Sequence, residues 1–314
     1  MRQFRVFFAV CVVVLTVGAL VIVWQRSETS RIDDGRVHIA ASFYPLAEFA
    51  RQVGGDAVTV ETLTPAGVEP HDVEPTPRQV AGALDADLLL VNGGIDAWAV
   101  GLIPAAEARG AATLAMSEVV GGLLPAIADE HDEEDGDAEV FDPHFWLSPV
   151  HAQRAVTAIL DTLVEIDEDR AEQYRTNATA YLGTLAALDH AYADGLAQCE
   201  RRVVVASHAS PAYLAAAYDF ELLPIAGRSP DAEPSAGALA TLARVARSRG
   251  VRHIFFETLA SPALAETLAR EIGAQTLVFN PLEGLTDAEI AAGESYVSIM
   301  QENLANLRTA MACP

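Results

Sequence analysis

At 314 residues the chain exceeds the usual size of one domain, so two lobes behind an N-terminal targeting segment are the first expectation. With 44 acidic residues against 20 basic ones and a formal net charge of -24, its surface repels phosphates, which excludes nucleic acid and an anionic membrane surface as partners. The acidity suits a cation or serves solubility alone, and three cysteines without C-x-x-C spacing exclude a disulfide scaffold and a zinc-ribbon site.

Arg2 and Arg5 precede an apolar run from Phe7 to Trp24, and Arg26 with polar residues follows. A run of 18 residues just spans a bilayer core. Gly18-Ala19-Leu20 offers only a weak cleavage site, so an uncleaved anchor is preferred over a cleaved signal. Cys11 lies too early in the run for a lipoprotein signal. The basic flank keeps the N-terminus in the cytoplasm and places the body on the extracytoplasmic face. Residues 1–36 are therefore assigned to the anchor or signal and its linker.

The body alternates strands with helices. Val37 to Ser42 reads as a strand, Pro45 to Val53 as a helix and Val58 to Leu63 as a second strand, which runs into the loop TPAGVEPHDVEPTP. Arg78 to Ala83 is helical, Leu88 to Asn92 is a buried strand and Ala112 to Ala115 a short one. This pattern predicts a mostly parallel sheet covered by helices, the first α/β lobe, over 37–148. Within it, Asp129 to Glu139 holds eight carboxylates in eleven residues and reads as a solvated loop.

A nearly continuous helical pattern follows Pro149, with a break near Ile166-Asp167, and Leu160, Leu163, Tyr174, Tyr181, Leu185 and Leu188 form its apolar stripe. The stretch from Glu168 to Gln198 predicts a rigid helix of roughly 45 Å. Residues 149–199 are thus a linking region. Arg202 to Ser207, His253 to Phe256 and Thr276 to Phe279 are short β-branched runs separated by helical segments at Ser235 to Ser248 and Ala263 to Gly273. Ser298 to Met311 closes this second α/β lobe, 200–314, as a helix. In an exported body Cys199 and Cys313 either form one disulfide pinning the C-terminus to the long helix or remain buried thiols.

Four candidate metal ligands share one kind of position, the loop after a strand or the start of a helix. They are His71 in EPHDVEPTP, His144 in FDPHFWLSP, His208 in VVVASHASPAYLA and Glu283 in VFNPLEGLTDAEI. In parallel α/β sheets ligands bind beyond the carboxyl ends of the strands, so such loops converge when two lobes face each other. Three imidazoles and one carboxylate suit a borderline-soft divalent ion, and four protein ligands with no place for water favour capture over hydrolysis. Proline before His71 and before His144 restricts the backbone there. His38, His151, His190 and His253 lack this context and read as structural, His131 sits in the acidic loop, and the sequon at Asn177 falls inside a helix.

The stretches SFYPLAEFARQVGGD, EPHDVEPTPRQV, DPHFWLSP, SHASPAYLAAAY, SPDAEPSA and NPLEGLTDAEIAAGESYVSIMQENLANL resemble, in order, the cluster A-I zinc and manganese solute-binding proteins of ABC importers. The resemblance covers nearly the whole body. It implies two α/β lobes joined by one rigid helix, a divalent metal held between them as cargo, and docking on an ABC-type permease by a monomer tethered at its N-terminus. His71, His144 and His208 match three family ligand positions, and histidine at 208 favours Zn2+ over the alternative, Mn2+. The fourth position is Glu283. Many members carry aspartate near Asn280, where this chain has an amide, so Asn280 and Glu257 are retained as supporting groups or substitute ligands. The zinc members' histidine-rich loop is here acidic. A zinc hydrolase is the rival from another class, and neither H-E-x-x-H nor a bridged two-metal pattern favours it. A surface adhesin is a third class that nothing in the residues supports.

Overall fold

The computed structural model describes residues 35–126, 141–227, 229–230, 232 and 234–314. The expected anchor, the acidic loop and His131 lie outside the described residues. Among the described residues no helix is long and apolar enough to cross a membrane.

The first lobe runs β1 (Val37–Ala41), α1 (Tyr44–Gly54), β2 (Val58–Thr62), α2 (Pro77–Leu84), β3 (Leu88–Val91), α3 (Ala97–Val100), α4 (Ile103–Glu107), β4 (Ala112–Ala115) and α5 (Met116–Val119). Two long helices follow, α6 (Pro149–Ile166) and α7 (Ala171–Leu196). The second lobe is β5 (Val203–Ala206), α8 (Ala212–Tyr218), β6 (Glu221–Pro224), α9 (Ala236–Ser248), β7 (His253–Phe256), α10 (Ala263–Ile272), β8 (Gln275–Val278), α11 (Asp287–Ala292) and α12 (Tyr296–Met311). Each lobe is built on one parallel sheet, in the orders β2-β1-β3-β4 and β6-β5-β7-β8. The two orders are the same topology used twice, although the sequence shows no repeat. Parallel strands need both faces covered, which is why β3, Leu-Leu-Leu-Val, is buried at every position.

The expected strands all form, and β6 joins them as one that the sequence reading did not include. It is an edge strand with an exposed Glu221 and a terminal Pro224, so it lacks an apolar run. The long helix starts later than its pattern suggests, because Glu168–Arg170 winds into a tighter turn first, and its 26 residues span roughly 39 Å. The closing helix starts earlier, at Tyr296, behind a capping box between Ser295 and Ser298.

Helix α7 buries Tyr174, Ala178, Tyr181, Leu185, Leu188, Tyr192 and Leu196, a stripe at spacings of three and four. It is bonded to both lobes: Asn177 Nδ2 donates to the carbonyl of Val53, 3.0 Å away, and Tyr192 Oη donates to that of Met300, 2.7 Å away. The sequon asparagine is therefore a packing group. At the far end of α7, Cys199 is disulfide-bonded to Cys313 across a sequence separation of 114. Closing so long a loop restricts the unfolded chain, worth typically about 2–4 kcal/mol. Serine at both positions should lower the thermal unfolding midpoint by roughly 5–10 °C in calorimetry while leaving metal affinity unchanged.

Candidate metal centre

Each candidate residue is fixed by its own loop before the four meet. His71 sits in a turn, Pro70–Asp72, whose N-cap Glu69 accepts from the backbone N–H of His71. The loop ends at the capping box of Thr76 and Gln79, and Gln79 Nε2 reaches back to the carbonyl of Leu63 at the end of β2. His144 opens a turn, His144–Leu147, after β4. The Asp142 Oδ1 atom accepts from its backbone N–H at 2.9 Å and lies 2.7 Å from its ring Nδ1. His208 follows β5, and its Nδ1 lies 2.7 Å from Glu257 Oε1, in the loop after β7. Each carboxylate holds a proton on Nδ1, which leaves the Nε2 lone pair as the free donor of that ring.

Glu283 follows β8 in a loop organised by Asn280. The Asn280 Oδ1 atom accepts from Leu282 N at 2.8 Å, and its Nδ2 donates to Glu289 Oε1 at 2.7 Å. Asn303 closes on the Asn280 backbone from the other side, accepting from its N–H and donating to its carbonyl. Leu282 is fully buried with φ 60, a left-handed conformation strained for leucine, and these bonds hold it there. Asn280 thus spends its amide on the turn that carries Glu283.

The two lobes are stitched next to the site. Trp146 Nε1 donates to the carbonyl of Pro281 at 2.8 Å, Tyr296 Oη donates to that of Trp146 at 2.6 Å, and Tyr213 Oη donates to that of Asp142 at 2.7 Å. Trp146 also meets Phe43 edge to face, 4.8 Å between ring centres, a contact worth about 0.5–1.5 kcal/mol beyond its buried area.

His71, His144, His208 and Glu283 converge so that one donor atom of each lies within 4.8 Å of all the others. The Oε1 atom of Glu283 is 3.7, 3.3 and 3.4 Å from Nε2 of His71, His144 and His208, and the last two nitrogens are 3.1 Å apart. A tetrahedral zinc ion with bonds of about 2.0–2.1 Å would have ligand edges of about 3.3–3.4 Å, so the donor set fits that ion. His71 Nε2 and both oxygens of Glu283 have no hydrogen-bond partner though buried. Lone pairs facing one another in a dry site are unfavourable unless a proton or a metal lies between them.

Electrostatics follow from this crowding. Burial works against charge on His208, yet Glu257 and Glu283 hold its pKa well above the ordinary value. His144 is raised in the same way, burial being outweighed by its bonds to Asp142 and Glu283. Burial would raise Glu283, but His144, His208 and His71 hold it well below the usual carboxylate range. Burial first, and then the charge of Glu283, push the neighbouring Glu69 upward.

The structure brings together all four residues singled out from the sequence, places Glu257 against His208, and turns Asn280 away to its turn. Sequence reasoning missed Asp142 and Glu69. Asp142 had a signal, a carboxylate two residues before a proline-fixed histidine, whereas Glu69 had none because its neighbour Glu283 is remote in the chain.

The profile of the family described as "Zinc-uptake complex component A periplasmic" matches residues 39–310. The chain belongs to this family. It is 42% identical over 281 residues to the zinc-binding lipoprotein AdcA of Streptococcus pneumoniae, covering 88% of this chain and 56% of that protein. It thus spans just over half the length of AdcA. It is 39% identical over 284 residues to the high-affinity zinc uptake system protein ZnuA of Bacillus subtilis, covering 88% of each. The crystal structure of the Zn(II)-bound ZnuA-like domain of Streptococcus pneumoniae AdcA superposes with a TM-score of 0.74 at 40% identity, over 88% of this chain and 99% of that one.

Protonated His208 and His144 stabilise the metal-free fold below the ordinary imidazole pKa, and that contribution is lost as pH rises through their raised values. Chelator-stripped protein should therefore show an unfolding midpoint that falls as pH rises above the ordinary imidazole range, with a shallower fall in Glu283→Gln. Calorimetry across that range checks the sign.

Proposed function

We propose that the chain captures zinc as cargo, outside the cytoplasm, with His71, His144, His208 and Glu283 as its four ligands, and delivers it to an ABC-type permease. The observation that carries this reading is the convergence of three Nε2 lone pairs and one carboxylate on a common point. Two ligands come from each lobe, so the bound ion bridges the lobes and reports its presence to whatever docks across them. Three imidazoles with a single carboxylate favour a borderline-soft ion over manganese, which prefers more oxygen donors. Four protein ligands fill the coordination shell of zinc, so water has no reserved place from which to attack a substrate. The zinc binding named for AdcA and the zinc uptake named for ZnuA agree with this choice of ion. Tethering by the apolar run at Phe7 to Trp24 would keep the loaded body beside the membrane that holds the permease.

Competitive titration should give zinc at least about a hundredfold preference over manganese, and His144→Ala should abolish most of the zinc affinity. Equal affinity for the two metals would sink the zinc assignment.

Asp142 and Glu257 act through the histidines that they orient. Alanine at either should weaken zinc binding by about 10–100-fold while the fold survives, read by competition with a fluorescent chelator and by circular dichroism.

A further inference from the structure

The turn that carries His144 does not grow directly out of a strand. It stands just before α6, so its position is borrowed from whatever supports the segment leading into it. Phe141, Asp142 and Pro143 form that segment, and Asp142 bonds both the backbone N–H and the ring of His144. Where the segment lies therefore decides where the inward nitrogen of His144 stands.

The segment rests on residues 92–96, at the carboxyl end of β3. Asn92 is fully buried, and its Nδ2 donates to the carbonyl of Pro143 at 3.1 Å. The other end of its amide is taken as well, since Oδ1 accepts from the N–H groups of Gly94 at 3.1 Å and Ile95 at 3.3 Å. Asp96, 1% exposed, accepts in turn from the N–H groups of Asn92 at 2.6 Å and Gly93 at 2.9 Å. With its amide bonded at both ends and its backbone clamped by Asp96, Asn92 is held in one orientation, and turning it would unpair several buried groups.

Gly94 touches the same segment independently. A Cβ at this position would lie 2.9 Å from Cβ of Pro143 and 3.0 Å from the ring of Phe141. Gly94 does not have a positive φ, so the missing side chain serves this close approach and not the turn. Among the described residues neither Asn92 nor Gly94 is bonded to any of the four donor groups. The donor atoms stand 3.1 to 3.7 Å apart, and a displacement of about 0.5 Å is enough to spoil a coordination geometry.

We propose that Asn92 is a positioning residue of the metal centre: it carries the end of β3 to the Pro143 carbonyl and so sets the distance from His144 to the other three donors, with Gly94 left bare to seat the segment. The inference rests on the reading of His71, His144, His208 and Glu283 as ligands.

Two variants test it on the whole protein. Gly94→Ala keeps every hydrogen-bonding group and presses only on Phe141 and Pro143, whereas Asn92→Ala removes the bond to Pro143. Zinc affinity, read by competition with a fluorescent chelator, should weaken by about tenfold in the first and by about 10–100-fold in the second, with unchanged circular dichroism. Cobalt bound in place of zinc should absorb more weakly in the visible in both, because a displaced imidazole admits water and raises the coordination number. Paired changes separate action through His144 from general loosening. The loss in Gly94→Ala should multiply with that in Glu257→Ala, which acts through His208, and should fall short of multiplying with that in Asp142→Ala, which acts through His144. Undiminished zinc affinity in Gly94→Ala would overturn the proposal, as would an unaltered cobalt spectrum or full multiplication with Asp142→Ala. Should Asn92→Ala fail to fold, Gly94→Ala decides alone. If the unaltered protein takes up no zinc, the ligand assignment fails instead, whatever the variants do.

Discussion

The architecture is organised around four crowded polar groups that need a proton or a metal between them. Three ring nitrogens and a carboxylate are turned inward at 3.1 to 3.7 Å in a site from which water is largely excluded. Nothing in the intrinsic preferences of these side chains brings them there. What does is the hydrogen bond on the far side of two of the rings: Asp142 and Glu257 orient the imidazoles and leave the inward nitrogen to take a proton or a metal. The strained Leu282, held by Asn280 and Asn303, does the same for the carboxylate. Strain and lone-pair crowding are stored in the loops and compensated by the sheets beneath them.

That compensation is possible because both lobes present the same end of the same topology. The loops of His71, His208 and Glu283 follow β2, β5 and β8, beyond the carboxyl ends of parallel strands, while His144 stands in its own turn next to α6. Helix α7 bonds to both lobes and sets their separation, while Trp146 and Tyr296 tie the His144 turn to the Glu283 turn across the seam. Relative movement of the lobes therefore has to break specific bonds close to the cluster of His71, His144, His208 and Glu283. The bonds that hold the four donors together are also bonds that hold the two lobes together.

Much of this was legible in the residues. The short β-branched runs gave the strands, the proline-flanked histidines gave loop positions, and the stripe on α7 gave a buried helix. The remainder depends on distances that no local pattern carries. β6 is as long as most of the other strands, but its Glu221 and Pro224 bracket only two leucines, and its strand character comes from pairing with β5. Asn280 was expected as a supporting group or substitute ligand, but its neighbours claim both ends of its amide. Glu69 became part of the site only because Glu283, far along the chain, folds back beside it. Trp146 was not singled out in the sequence, and the bond to Pro281 that makes it a strut between lobes belongs to the tertiary fold alone.

The Cys199–Cys313 bond has a mechanical consequence. It joins the foot of α7 to the segment after α12, so the whole of the second lobe lies within one covalent loop. Tension applied between the two ends of the body is carried from α7 directly through the sulfur atoms, and β5 to β8 bear none of it. A protein held at one terminus and pulled at the other would thus yield first in the lobe that contributes His71 and His144, and His208 and Glu283 would stay on an intact sheet while the cluster opened from one side.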